Sequence, residues 1–275
     1  MSLTSRPAAE LLTVARTIAL EAAEFVADAR RGTVEVADRK SSAVDVVTQV
    51  DRDVEDLIRA RLAEQRPGDG FFGEESAADS STTGLTWVVD PIDGTVNFLY
   101  GVPHYAVSIA VVEGEADPQS WRALAGVVVN PASGELFSAT AGGGAHVGER
   151  SLQVNPAVEL SQALVATGFA YLADTRAEQG AAVARLLPLV RDVRRMGTAS
   201  LDLCAVACGR VDAYFERTLS PWDHAAGGLI AAEAGARVSG AHGARGDHRF
   251  LLAAHPELAA ALEAVLHEVG AVPDL

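Results

Sequence analysis

The sequence contains little cysteine, few aromatic residues and a deficit of positive charge. Only two of its 275 residues are cysteine, and 5% are aromatic. Cys204 and Cys208 are four residues apart in a helical pattern, with no second cysteine pair and no histidine at zinc spacing. We therefore expect two small core residues rather than a redox or zinc pair. The absence of a disulfide framework fits a reducing, cytoplasmic compartment.

Basic residues are outnumbered by acidic ones, 22 against 37, which gives a formal net charge of −15. This excess disfavours direct binding to nucleic acid or to an anionic membrane surface. No apolar run reaches about 18 residues, and the N-terminus has no basic segment followed by an apolar one, so we expect neither a membrane span nor a secretion signal. An acidic protein that acts on an anion needs local cations, and bound metal ions would supply them.

Three common catalytic patterns are missing. There is no Gly-x-Ser-x-Gly, and none of the seven histidines belongs to a His-Glu-x-x-His pattern. The three glycines at 142–144 are not followed by the Lys-Ser/Thr of a phosphate-binding P-loop, so we expect a turn there. A serine, cysteine or histidine nucleophile is therefore not expected.

The residues that are present predict an α/β protein, because apolar strand patterns alternate with helical ones over short connections. Predicted helices cover 7–30, 52–64, 175–190, 200–208, 222–234 and 256–269. Predicted strands cover 87–89, 106–112, 123–129, 134–139, 164–168 and 211–215, with two more near 237 and 250. A soft boundary at Asn155-Pro156 divides an N-terminal α+β half, 1–155, from a C-terminal α/β half, 156–275.

The most informative segment is 87–95, which has the sequence WVVDPIDGT. An apolar strand ends on Asp90, a Pro-Ile-Asp-Gly sequence is expected to turn the chain sharply, and Asp93 follows three residues after Asp90. Two carboxylates this close repel each other unless a cation lies between them. Oxygen ligands without nearby histidine or cysteine favour Mg²⁺ or Mn²⁺ over zinc. The alternative is an ordinary strand end followed by an Asp-Gly turn.

Three more acidic residues stand at the ends of predicted elements, where ligands and catalytic groups are often found. Glu74 follows two phenylalanines and a glycine, although Glu74 and Glu75 would also suit a surface charge pair. Asp51 precedes the helix 52–64, and Asp223 opens the helix 222–234, so both would also suit helix caps. The small residues 225–228 would let the second helix pack very close to another element.

Basic residues are harder to assign. Lys40 lies in a segment that Gly32 and two serines mark as a mobile loop, and a solvated lysine is the alternative. The arginines at 191, 194 and 195 fit a surface position, a subunit contact or an anion contact.

Together the acidic residues predict a metal centre. Glu74, Asp90, Asp93 and Asp223 would form a carboxylate cage with room for two or three Mg²⁺ ions, and the Ile92 carbonyl could add a neutral oxygen. Two ions about 3.5–4 Å apart can clamp the attacking and leaving oxygens of an in-line displacement. With no protein nucleophile in view, metal-bound water is expected to attack, which indicates hydrolysis of a phosphate monoester.

The chain resembles the inositol monophosphatase family, particularly its actinobacterial members. The resemblance covers nearly the whole chain and lies in three blocks that keep the family's order: Gly73-Glu74-Glu75, Asp90-Pro91-Ile92-Asp93-Gly94-Thr95, and Trp222-Asp223 with its Ala/Gly-rich helix. It implies a layered α/β/α/β/α sandwich of the sugar-phosphatase type, a homodimer and inhibition by Li⁺.

The resemblance also implies how the ions are held. The first ion would bind Glu74, Asp90 and the Ile92 carbonyl, and the second Asp90, Asp93 and Asp223. A third, weaker ion would bind Glu74. Mg²⁺ is the expected metal and Mn²⁺ a possible substitute.

The remaining roles follow from the same resemblance. Thr95, hydrogen-bonded to Asp51, and Glu74 would orient and deprotonate the attacking water, and Lys40 matches a mobile-loop lysine near the third ion. Glu216 matches the acid that binds inositol hydroxyls. The full set of implied substrate contacts is Asp93, Gly94, Thr95, Gly197, Thr198, Ala199, Glu216 and Asp223.

Two alternatives stay open. Histidinol-phosphate phosphatase, fructose-1,6-bisphosphatase and nucleotide 3′-phosphatase share the cage, so a related phosphomonoesterase is one alternative to an inositol monophosphatase. The other is a binding role, as a regulator associated with RNA or with a polymerase. The intact set of acidic residues argues against regulation as the sole role, and the net charge argues against direct RNA binding.

Overall fold

The computed structural model describes residues 5–32, 34, 36–42 and 45–273, arranged as seven α-helices and fourteen strands in those ranges. The helices are α1 (Ser5–Arg30), α2 (Gln49–Gln65), α3 (Thr95–Tyr100), α4 (Ala173–Leu186), α5 (Ala199–Ala207), α6 (Pro221–Glu233) and α7 (Pro256–Glu268). The first seven strands are β1 (Val36–Arg39), β2 (Val46–Thr48), β3 (Gly70–Gly73), β4 (Leu85–Asp93), β5 (Ala106–Glu113), β6 (Arg122–Val129) and β7 (Leu136–Thr140). The others are β8 (Gly144–Val147), β9 (Arg150–Ser151), β10 (Leu164–Thr167), β11 (Asp192–Arg194), β12 (Ala213–Glu216), β13 (Arg237–Ser239) and β14 (Leu251–Ala254).

Two sheets organise the fold. The larger has seven strands in the order β3-β4-β5-β6-β7-β8-β9, with β3 parallel to β4 and every other pair antiparallel. The smaller has five strands in the order β11-β10-β12-β14-β13, in which β10 runs parallel to β11 and β12. The sheets come from either side of residue 155, but one buried cluster contains side chains from both. The division into halves at 155 stays a prediction.

The helices and sheets form five layers. Helices α1 and α2 pack on one face of the larger sheet, and α5 and α6 fill the space between the two sheets. Helices α4 and α7 cover the outer face of the smaller sheet. The predicted α/β/α/β/α sandwich is therefore confirmed. None of the helices within the described ranges is long and apolar enough to cross a membrane.

Small residues let α6 lie very close to the larger sheet. On β5 the large side chains Val107, Ile109 and Val111 point toward α1, whereas the residues between them that face α6 include alanines. A Cβ placed on Gly126 of β6 would lie 3.0 Å from the Cα of Ala226. The predicted close packing of this helix is confirmed.

The structure corrects one local expectation. The chain does not turn at Pro91, because β4 continues through Asp93 and shifts register against β5 between Asp90 and Asp93. Proline lacks an N–H and is accommodated at such an irregularity, so the turn comes at Gly94, whose φ is +90°. Lys40 lies in the connection between β1 and β2, two antiparallel strands that pair with each other; Ala43 and Val44 of this connection lie outside the described residues, and its mobility stays a prediction.

Candidate active site

A cavity of about 400 Å³ opens where the end of β4 meets the first turns of α3, α5 and α6. The predicted site residues that line it are Lys40, Glu74, Asp90, Ile92, Asp93, Gly94, Thr95, Gly197, Thr198, Ala199, Glu216 and Asp223. The structure thus brings together side chains from widely separated parts of the sequence. Of the predicted set, only Asp51 does not line the cavity.

The end of β4 supplies the two most buried acids among those that line the cavity. Asp90 is 1% exposed, and its Oδ1 has no hydrogen-bond partner among the described residues. The Oδ2 of Asp93 accepts hydrogen bonds from the Ser200 N–H at 2.7 Å and from the Ser200 hydroxyl at 2.5 Å. Gly94 is required beside them, because a Cβ there would lie 2.5 Å from Oγ1 of Thr198.

Asp51 and Asp223 are each the third residue of a helix rather than the cap itself. An Oδ2 atom of each accepts the N–H of the residue before its helix, Thr48 at 2.9 Å and Ser220 at 2.6 Å. This reciprocal bond stabilises the helix start and leaves the second oxygen available. In Asp51 the second oxygen accepts the Thr95 hydroxyl at 3.0 Å, so Asp51 lies directly behind the cavity.

Glu74 follows β3 and faces a lysine. The Lys40 ammonium donates to Oε1 of Glu74 at 2.7 Å and also contacts the Glu75 carboxylate. Lys40 is therefore bound to two acids and is not a solvated loop lysine. Its backbone N–H donates to the Asp45 carbonyl at 2.9 Å, which ties the end of β1 to the residue just before β2.

Burial controls the electrostatics of the cavity. It raises the pKa of Asp93 to about 7 and that of Asp51 to about 6, against hydrogen bonds that favour the ionised forms. Burial, followed by repulsion from neighbouring carboxylates, also holds the pKa values of Asp90 and Asp223 well above their ordinary range. The carboxylates therefore repel one another when ionised, and a bound divalent cation would offset this repulsion.

The donor set suits a hard cation. Four carboxylates and a backbone carbonyl offer oxygen only, and the unpartnered Oδ1 of Asp90 is a buried acceptor that an ion would satisfy. Within the described residues, however, no group of three or more His, Cys, Asp or Glu side chains has its ligand atoms close enough together to bind one metal ion as they stand. Lys40 places a positive charge against Glu74 instead.

Glu216 faces the same cavity from the smaller sheet. The Tyr214 hydroxyl donates to Oε2 of Glu216 at 2.7 Å, and burial raises the Glu216 pKa to about 7. A Cβ on Gly168 would lie 2.0 Å from that oxygen, so only glycine leaves room for the carboxylate. Glu216 is thus fixed in place before any ligand binds.

Several residues at the cavity were not found from the sequence. Ser200 and Tyr214 each hold an acid of the site by a hydrogen bond, to Asp93 and to Glu216. Residues 169–172 form part of the rim, and the Tyr171 carbonyl accepts the Ser42 hydroxyl at 3.3 Å. No local pattern marks these residues, since the fold alone brings them to the cavity.

The three arginines of the segment 191–195 have different positions. Arg191 donates to the Gln162 carbonyl at 2.8 Å, and Arg194 pairs with Asp192 at 2.6 Å, both at the surface. Only Arg195 lines the cavity. An anion contact is therefore available to one of the three.

The comparisons with known proteins agree with this fold. A family model described as the inositol monophosphatase family matches residues 8–272. The inositol-1-monophosphatase SuhB of Mycobacterium tuberculosis is 48% identical over 248 residues, which cover 84% of this chain and 83% of the relative. The Nus factor SuhB of Pasteurella multocida is 36% identical over 263 residues, which cover 94% of this chain and 94% of the relative.

A solved structure extends the match to three dimensions. The structure of Mycobacterium tuberculosis SuhB superposes with a TM-score of 0.82 at 44% identity, over 96% of this chain and 98% of the other. The layered fold and these relatives define the protein as a phosphoric monoester hydrolase. The chain belongs to the inositol monophosphatase family.

Proposed function

We propose that the protein hydrolyses inositol monophosphate to inositol and phosphate in a Mg²⁺-dependent reaction. The observation that carries this proposal is the convergence of Glu74, Asp90, Asp93 and Asp223 on one cavity that also contains Glu216. Four acids of raised pKa suit divalent ions, and a fifth acid on the smaller sheet suits the hydroxyl groups of a polyol.

The ligand sets are those that the family resemblance implies. Glu74, Asp90 and the Ile92 carbonyl would hold one ion, and Asp90, Asp93 and Asp223 a second; a third, weaker ion would lean on Glu74. Bound Mg²⁺ would neutralise the phosphate ester and lower the pKa of water in the site.

Thr95 would accept the proton of the attacking water and donate its own proton to Asp51. The Thr95 hydroxyl lies 3.0 Å from Asp51 and 3.1 Å from the Ile92 carbonyl. A hydroxyl has one proton, so with the carbonyl bound to an ion it would donate to Asp51 and accept from water. A buried carboxylate with a pKa of about 6 is ionised near neutral pH and can stabilise the proton that moves toward it.

The backbone and Glu216 would bind the substrate. The N–H groups of Gly94 and Thr95 are proposed to bind the phosphate, with residues 197–199 lining the same side. Asn97 supports this segment, since its Nδ2 donates to the Met196 carbonyl at 2.8 Å. Glu216, held by Tyr214, would accept from hydroxyls of the leaving alcohol.

A side-by-side turnover assay tests the substrate. Inositol 1-phosphate, histidinol phosphate, fructose 1,6-bisphosphate and a nucleotide 3′-phosphate would be compared at saturating Mg²⁺. We expect inositol 1-phosphate to have the highest kcat/KM. A kcat/KM for histidinol phosphate about 100-fold higher, which is about 2.7 kcal/mol of transition-state stabilisation, would contradict the proposal.

A regulatory role is the second candidate, because two relatives are named Nus factors. The net charge of −15 disfavours direct RNA contact, so a protein partner is the form this role would take. An Asp93→Asn variant separates the two candidates. A cellular phenotype that persists in this inactive variant would support regulation, and a phenotype lost with activity would not.

A further inference from the structure

Helix α2 presents a second buried carboxylate that none of the roles above uses. Glu55 lies one turn after Asp51, so the two side chains leave the same face of the helix. Glu55 is 1% exposed. A carboxylate this buried needs strong hydrogen-bond donors, and the donors that it finds belong to the segment that carries Glu74.

The contacts of Glu55 go to the two residues that follow Glu74. Its Oε2 accepts the backbone N–H of Glu75 at 2.8 Å, and its Oε1 accepts the hydroxyl of Ser76. Because one of these hydrogen bonds comes from a backbone N–H and the other from the next side chain, together they fix the backbone directly after Glu74.

The next turn of α2 continues the same attachment. Arg59 donates to the Ser76 hydroxyl at 2.6 Å and to the Ala77 carbonyl at 2.8 Å, and its guanidinium also pairs with Asp79. One face of α2 therefore carries three contact residues spaced four apart. Asp51 contacts Thr95, Glu55 contacts residues 75 and 76, and Arg59 contacts residues 76, 77 and 79.

Gly73 shows how closely the carboxylate approaches the main chain. A Cβ on Gly73 would lie 2.3 Å from Oε2 of Glu55 and 2.6 Å from a ring carbon of Phe71. A side chain at position 73 would therefore displace the Glu55 carboxylate.

We propose that Glu55 is a positioning residue that holds the Glu74–Glu75 peptide, so that the Glu74 carboxylate faces the cavity while the Glu75 carboxylate contacts Lys40. Rotation of that peptide would move both carboxylates, because they flank it. The inference rests on the proposed function in taking Glu74 as a metal ligand.

The test uses three single variants of the full chain. Glu55→Ala removes both acceptors. Glu55→Gln can keep both hydrogen bonds with one of them reversed, because its amide oxygen can accept from Glu75 while its NH₂ group donates to the Ser76 oxygen. Asp56→Ala is the matched control, since Asp56 is the next residue, is exposed and loses the same charge.

Mg²⁺ affinity is measured in two ways, from activation of phosphatase activity and from the rise in Tm on adding Mg²⁺ to chelator-treated protein. For Glu55→Ala we expect the half-saturating Mg²⁺ concentration to rise about 10- to 100-fold in both measurements, with kcat at saturating Mg²⁺ much less affected. For Glu55→Gln and Asp56→Ala the half-saturating Mg²⁺ concentration should stay within about twofold of the wild-type value.

Hydrogen exchange separates positioning from general loss of stability. The Glu75 amide should exchange faster in Glu55→Ala than in Glu55→Gln, while amides in the smaller sheet should be unchanged. Faster exchange at Glu75 combined with unchanged Mg²⁺ affinity would overturn the inference.

Gly73→Ala provides a second route if Glu55→Ala does not fold, because its added Cβ would lie 2.3 Å from Oε2 of Glu55, would displace that carboxylate, and should weaken Mg²⁺ binding in the same way. Normal Mg²⁺ affinity in that variant would overturn the inference. A wild type without Mg²⁺ dependence would instead contradict the proposed function, so the two failures are distinguishable.

Discussion

Asp51 and Asp223 show how one carboxylate performs two tasks. Each is the third residue of a helix and uses one oxygen to bind the N–H just before that helix. The helix start fixes the side chain, and the second oxygen is directed toward the site. For Asp51 that oxygen contacts Thr95. A capping role and a catalytic role, which are alternatives at the level of sequence, coexist at both positions if the proposed function is correct.

At this scale we predict the effect of Asp223→Asn. The amide oxygen can still accept the Ser220 N–H, so the helix start should survive, but one negative ligand is lost. Activity should fall by several orders of magnitude, and the Tm in chelator should be unchanged or higher, because repulsion within the acidic cavity is reduced. Steady-state kinetics and thermal melts measure both.

Glu257→Gln is the control for this prediction. Glu257 is exposed in the first turn of α7, outside the cavity, so its replacement removes a comparable charge from a helix start without touching the site. If Asp223→Asn kept more than about a tenth of wild-type activity, a loss below 1.4 kcal/mol, its assigned role would be wrong.

At the scale of elements, α6 positions Asp223 because it packs directly on β6. Gly126→Ala would place a Cβ 3.0 Å from the Cα of Ala226, and backbone atoms must then move apart by a few tenths of an ångström. We predict a loss of about 1–3 kcal/mol in the free energy of unfolding, measured by denaturant titration. Mg²⁺ affinity should also fall, since the first turn of α6 shifts.

Gly228→Ala on α6 is the matched control. Its added Cβ would meet only Cγ1 of Val238, at 3.9 Å, which is an ordinary contact. Since alanine is favoured over glycine in a helix by up to about 1 kcal/mol, this variant should be as stable as the wild type or more stable. A Gly126→Ala protein that unfolds at the same denaturant concentration as the wild type would contradict the close packing.

Elements with strong periodicity could be predicted from the sequence, and weak ones could not. The apolar runs of β5 and β6 and the amphipathic pattern of α2 were found within a few residues of their bounds. Strands β1 and β11 were missed because they are short and lack buried residues, so no alternating pattern marks them.

The same distinction holds for the site. Acids at element ends could be selected from local sequence, because each stands beside a breaker or a helix start. Their partners could not: Ser200 is 107 residues from Asp93, and only the packing of α5 against the end of β4 brings them together. Glu55 carried a usable signal, a spacing of four from Asp51 on one helix face, but the choice of its partner depends on the fold.

At the scale of the whole molecule, the buried acids predict an unusual pH dependence of stability. The pKa values of Asp93, Asp51 and Glu216 are raised to about 7, 6 and 7, so between pH 4 and 7 the folded protein binds more protons than the unfolded chain. The free energy of unfolding therefore falls as the pH rises through this range. Burial lowers the pKa values of the partly buried His104 and the buried His224, which act in the opposite direction but are fewer.

Thermal melts in chelator should thus give a higher Tm at pH 5 than at pH 7.5. Mg²⁺ should raise the Tm mainly at the higher pH, because it binds the ionised acids. Asp93→Asn should reduce the pH dependence. A wild-type protein in chelator whose Tm rises steadily from pH 5 to 7.5 would contradict the assigned pKa shifts.

The expected homodimer is a separate prediction, which light scattering would test.

Anomalous diffraction from crystals soaked in Mn²⁺ tests the central claim most directly, because it locates the ions without reference to activity. We predict at least two Mn²⁺ peaks bounded by Glu74, Asp90, Asp93 and Asp223, with the peak next to Asp93 lost in Asp93→Asn crystals. Crystals of an enzyme that is active with Mn²⁺ but shows no anomalous peak among these four carboxylates would contradict the account.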